Sequence, residues 1–167
     1  MSKSKGKGMR FLQWTVGIIV VFALSLAAYM WWVVASFDTK TLPERHGQVD
    51  VQLYARDGVP RPLLVGFGGG EAGNAWTGDR WKPQRERFLD QGYAMLAVGY
   101  FGAPNSPEQL DRISLDGIHD AILKAAKDPR VDGRCIGVIG GSRGGELALL
   151  LASHYPDIHA VVAIVPG

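Results

Sequence analysis

Cysteine is nearly absent: Cys135 is the one thiol in 167 residues, so no disulfide can form within the chain. Metal motifs are also missing. His46, His119, His154 and His159 have no acid or cysteine partner at ligand spacing, and no metal is expected. The chain lacks a basic patch of the kind that tracks nucleic acid. Its formal net charge is only +2, and the excess sits largely in Lys3, Lys5, Lys7 and Arg10. Nucleic acid is therefore not an expected partner. Internal repeats are absent, and low complexity is confined to the first few residues. Charge is missing altogether from residues 11–37.

That uncharged run exceeds the roughly 20 apolar residues that span a bilayer core. Trp14 lies near one end and Tyr29, Trp31 and Trp32 near the other, where aromatic rings favour the headgroup boundary. A signal-peptide core usually has only about 7–15 residues, so the run reads as an uncleaved signal anchor. A passable cleavage site at Val33 and Ala35 is the competing reading. The organisation expected is a basic cytoplasmic tail (1–10), a transmembrane helix in the lipid bilayer (11–37), a polar linker (38–48) and a globular part (49–167). The basic tail orients the span, leaving the N-terminus cytoplasmic and the globular part on the far side.

Strand and helix patterns alternate through the globular part. Strands are expected at 49–54, 61–67, 93–98, 136–139 and 160–165. Helices are expected at 82–91, 110–127 and 143–153, the second with Leu115, Ile118, Ile122 and Ala125 on one face. Short connections between strands and helices predict an α/β fold with a mostly parallel sheet covered by helices on both faces.

The sharpest local pattern is Gly140-Gly141-Ser142-Arg143-Gly144. It reads G-x-S-x-G between an apolar strand and a helix, the context of a nucleophile elbow. A serine on such a turn has its hydroxyl lifted off the sheet. The glycines on either side, Gly140 and Gly144, leave room for the sharp backbone, and the helix N-terminus offers free N–H groups to an oxyanion. Upstream, Gly68-Gly69-Gly70-Glu71-Ala72-Gly73 also follows an apolar strand. It fits the dinucleotide fingerprint formally, but the next strand ends without the acid that a ribose needs. An oxyanion-hole loop is the better reading: one N–H from Arg143 and a second from Gly69 or Gly70. The spacing leaves open which glycine. Trp76 and Trp81 could line an acyl site or simply pack the loop. Cys135 is expected as a small packing residue, Glu146 as an acid suited to its helix N-terminus, and His154 as a partner for the end of the same helix. His119, Asp157 and His159 are expected to be exposed.

From Leu63 to Gly167 the chain resembles the C-terminal hydrolase domain shared by acyl-CoA thioesterases and bile acid-CoA:amino acid N-acyltransferases. It resembles the dienelactone hydrolases more loosely. Stretches that carry the likeness include Gly68-Gly69-Gly70-Glu71, Val98-Gly99-Tyr100-Phe101-Gly102-Ala103-Pro104 and Ser142-Arg143-Gly144-Gly145-Glu146-Leu147-Ala148. The resemblance implies the N-terminal part of an α/β-hydrolase fold. It also implies an acyl-enzyme on Ser142, formed from a small ester or thioester with no cofactor. In that fold the acid and histidine follow the nucleophile, beyond residue 165, so the expectation is a fragment truncated after the strand that follows the nucleophile helix. A peptidase of the prolyl oligopeptidase type and a non-catalytic, membrane-tethered binding protein are the alternatives.

Overall fold

The computed structural model describes residues 5–37 and 41–166. Residues 1–4 of the expected basic tail, 38–40 of the expected linker, and Gly167 lie outside the described residues. Two compact units are present, Met1–Thr41 and Leu42–Gly167.

The first unit is a single helix, α1 (Lys5–Ser36). Its segment Gln13–Ser36 is 24 residues long. At about 1.5 Å of rise per residue this exceeds the roughly 30 Å hydrocarbon core of a bilayer. The segment is long and apolar enough to cross a membrane, and none of the segment's most apolar window is buried within the protein.

The second unit has five strands: β1 (Asp50–Tyr54), β2 (Arg61–Phe67), β3 (Ala94–Gly99), β4 (Val131–Gly141) and β5 (Ile158–Ile164). Its helices are α2 (Lys82–Asp90), α3 (Leu115–Ala125) and α4 (Arg143–His154). Short 3-10 turns at Ala75–Thr77 and Asp79–Trp81 fill the gap between the glycine loop and α2. The strand order is β1-β3-β2-β4-β5. All pairings are parallel except β1 with β3, which is antiparallel.

Each strand's place follows from its side chains. Every residue of β3 is buried, as a continuous apolar run in a strand flanked by strands on both sides and covered on both faces should be. The alternation in β2 divides the core. Leu63, Val65 and Phe67 join Ile118 and Ile122 of α3 and Leu147 and Leu151 of α4 on one face. Leu64 packs toward Met95, Ile139, Trp76 and Leu89 on the other. On α3, the hydroxyl of Ser114 accepts from the N–H of Gly117 at 3.1 Å, satisfying one orphan donor of the first turn. Ile118 and Ile122 are fully buried, as the helical spacing predicted.

Several expectations change. Coverage of both sheet faces fails at β5, where Val162 and Ile164 are exposed. Helix α3 is shorter than 110–127, because the loop before it stays non-helical up to Ser114. Strand β4 is longer than 136–139: its first residues pair Arg61 with Val131 and Pro62 with Asp132, and the register then jumps so that Leu63 meets Ile136. The residues between bulge out, which leaves Cys135 exposed rather than packed.

His119 is not exposed either. Its ring stacks on Tyr155 with centroids 3.8 Å apart, and its Nε2 lies 3.0 Å from both oxygens of Asp157. Asp157 is thereby tied to α3 instead of lying free in solvent. His154 meets its expectation, with Nδ1 2.9 Å from the Leu150 carbonyl oxygen.

Candidate active site

Parallel pairing places Phe67, the last residue of β2, opposite Gly140 near the end of β4. The chain runs from β3 on one side of β2 to β4 on the other. The loop after β2 and the turn after β4 therefore meet at a topological switch point, where open α/β sheets place their ligand crevice.

Ser142 forms that turn with φ 50° and ψ −124°. Such a backbone costs a non-glycine residue about 1–3 kcal/mol and persists only where the surroundings hold it. Three hydrogen bonds do so. The Ser142 N–H donates to the Ile164 carbonyl at 2.9 Å, and the Ser142 carbonyl accepts from Gly145 N–H at 2.8 Å and Glu146 N–H at 3.1 Å. The residue is exposed and its hydroxyl makes no capping bond to α4.

The glycines of the turn answer to close packing. A Cβ on Gly140 would collide with the backbone of Gly144, and one on Gly144 with the carbonyl oxygens of Gly68 and Phe67. Gly69 lies beside the serine: a Cβ built on it would stand 3.6 Å from that of Ser142 and 3.4 Å from the Gly141 oxygen. Gly70 faces open space. Among the described residues, the N–H groups of Gly69, Gly70 and Arg143 donate to no backbone carbonyl. The Arg143 side chain is engaged by Glu146 at 2.9 Å, and that carboxylate holds the guanidinium still more firmly protonated.

A cavity of about 490 Å³ opens beside Ser142. Phe67, Trp76, Trp81, Phe88, Ile139 and Ile164 supply its apolar wall, and Glu71 is on its rim. Trp76 both packs the loop and lines the cavity. Its indole N–H donates to the Phe67 carbonyl at 3.2 Å, and its ring meets Trp81 at 4.7 Å between centroids. Beneath it, buried Arg85 donates to the Trp76 carbonyl and lies 4.2 Å from the Tyr54 ring centroid. The backbone that carries the aromatic wall is thereby fixed to β1.

Tyr100 was not singled out in the sequence. Its hydroxyl donates to the Gly68 carbonyl at 3.0 Å, with the Gly69 carbonyl at 3.3 Å. Burial first, then the charges of Glu71 and Glu146 against that of Arg143, pushes its pKa up to about 12. The sequence signal was slight: an aromatic closing an apolar strand before a Gly/Pro loop. None of the four histidines lines the cavity that holds Ser142.

Residues 113–167 match the family model described as BAAT / Acyl-CoA thioester hydrolase C terminal. Human acyl-coenzyme A thioesterase 6 is 37% identical over 123 residues, covering 73% of this chain and 28% of its own length. Mouse acyl-coenzyme A thioesterase 3 is 30% identical over 127 residues, covering 75% of this chain and 28% of its own. The chain thus spans little more than a quarter of the length of these relatives. Among solved structures, a dienelactone hydrolase-like promiscuous phosphotriesterase from metagenomic libraries superposes with a TM-score of 0.55 at 19% identity. That match covers 72% of this chain and 60% of the other, a likeness of fold.

Proposed function

We propose that this chain, an α/β-hydrolase-fold protein similar to the acyl-CoA thioester hydrolase and bile acid-CoA:amino acid N-acyltransferase C-terminal domain, carries the nucleophile and anion-binding backbone of a membrane-anchored serine hydrolase. The observation that carries the reading is Ser142: strained, exposed, and set between the free N–H groups of a helix N-terminus and of the Gly69–Gly70 loop.

In the proposed reaction the Ser142 Oγ attacks the acyl carbon of an ester or thioester. Its proton passes to a base, and the carbonyl electron pair moves onto oxygen. The N–H of Arg143 and an N–H of the Gly69–Gly70 loop receive that negative charge. Collapse of the intermediate expels the alcohol or thiol, which takes up the proton, and leaves the acyl group on Ser142. The apolar cavity of Trp76, Trp81 and Phe88 suits the acyl chain. None of the four histidines lines that cavity, so none of them is assigned as the base. A serine without its base is a weak nucleophile at neutral pH.

That same observation favours one second reading, a hydrolase-like binding protein that holds acyl groups without turning them over. An alkyl fluorophosphonate probe separates the two. Labelling at Ser142 in the full-length gene product, located by mass spectrometry and abolished in Ser142→Ala, is expected for the nucleophile. A folded full-length gene product that takes no label favours the binding reading.

A further inference from the structure

Resting on the reading of Ser142 as nucleophile, we infer that Tyr100 is a positioning residue that sets the direction of the oxyanion-binding N–H groups by holding the carbonyls of Gly68 and Gly69.

Three observations converge on it. The glycine loop has no side chain at 68, 69 or 70 to fix its peptide planes, and glycine resists few backbone rotations. A Cβ on Gly70 would meet nothing within 4 Å. Against that freedom, a single side-chain hydroxyl reaches two successive carbonyls, at 3.0 and 3.3 Å. In a trans peptide the carbonyl and the following N–H point opposite ways. Carbonyls 68 and 69 turned toward Tyr100 therefore aim the N–H groups of Gly69 and Gly70 away from it. Gly69 stands beside Ser142, and these N–H groups meet no backbone acceptor among the described residues. A flip of either peptide would present a carbonyl oxygen in place of a donor and repel a developing oxyanion.

The phenol is held rigidly for this task. Tyr100 is 3% exposed, with the Phe67 ring edge-on at 6.2 Å and Phe101 at 5.1 Å between centroids. The charged groups that bear on it are Glu71, Glu146 and Arg143. The two carboxylates and burial keep the phenol protonated, so it remains a donor throughout the neutral range.

The full-length gene product in detergent micelles tests this with the alkyl fluorophosphonate. Tyr100→Phe should label on the order of 100-fold more slowly than wild type, the scale expected when oxyanion donors are lost, while still unfolding cooperatively, with its melting temperature lowered only as loss of one buried donor requires. A rate within twofold of wild type overturns the inference. Should the variant fold poorly, 3,5-difluorotyrosine at position 100 keeps the shape but ionises at lower pH. Its labelling rate, taken relative to wild type, should fall reversibly as pH rises; a ratio constant with pH overturns the inference. If wild type folds but takes no label, the nucleophile reading fails, and Tyr100 is then judged from crystal structures of wild type and Tyr100→Phe. A 68–69 peptide rotated in the variant supports its role, and an unrotated one refutes it.

Discussion

At the scale of single residues, the turn around Ser142 is a problem of space before it is one of chemistry. Helix α4 starts so close to the end of β2 that Gly144 lies against two main-chain carbonyls. A Cβ there would sit 2.9 Å from the Phe67 oxygen and nearer still to that of Gly68. Backbone on both sides cannot swing aside as a side chain would. Gly144→Ala should therefore lose stability by about 1–3 kcal/mol, the usual range for overpacking. Gly70→Ala, with nothing within 4 Å of its Cβ, should stay within about 0.5 kcal/mol of wild type. Urea unfolding of the two variants measures the contrast. G-x-S-x-G was readable as a motif because both glycines answer to this packing. Tyr100 was not, because its partners are carbonyls some thirty residues upstream and any aromatic would have filled the same strand position in the pattern.

At the scale of elements, α3 shows how well a helical period reports burial. Ile118 and Ile122 are fully buried, whereas Leu123, one position on, is 37% exposed. Ile122→Ala should cost about 2–5 kcal/mol through lost transfer energy and a cavity. Leu123→Ala should cost far less; equal losses in thermal or urea unfolding would contradict the docking of α3 on the sheet. Period alone could not foresee what else holds α3. His119 reaches Asp157, and Tyr155 donates to Asp116 at 2.6 Å, so two polar contacts tie α3 to the turn between α4 and β5. Both link residues more than thirty positions apart. The bulge in β4 is a similar case. Pro62 pairs with Asp132 and the next residue, Leu63, with Ile136, so β4 bulges between them, and Cys135 is exposed because it lies in the bulged stretch.

At the scale of the whole molecule, the chain divides at Thr41 and Leu42 into an apolar helix and the α/β unit. The proposed anchor gives this division a consequence. Residues 1–167 should stay in the membrane fraction after alkaline carbonate washing, whereas residues 42–167 should partition to the supernatant. Release of the full chain by carbonate would end the anchor reading. The proposed orientation also bears on substrate. A domain on the far side of the membrane meets little coenzyme A, a cytosolic cofactor, so simple esters belong in the assay beside acyl-CoA.

Residue order alone determined the uncharged helix, the alternation of strands and helices, and the glycine-flanked serine between a strand and a helix. Each is a local pattern whose period or spacing is set by backbone geometry. Tertiary structure decided the rest: that β1 runs antiparallel at one edge, that β5 leaves a face bare, that His119 is paired, and that one phenol reaches two carbonyls of the glycine loop. Those outcomes depend on which distant segments become neighbours once the sheet is assembled, a relation that spacing along the chain does not encode.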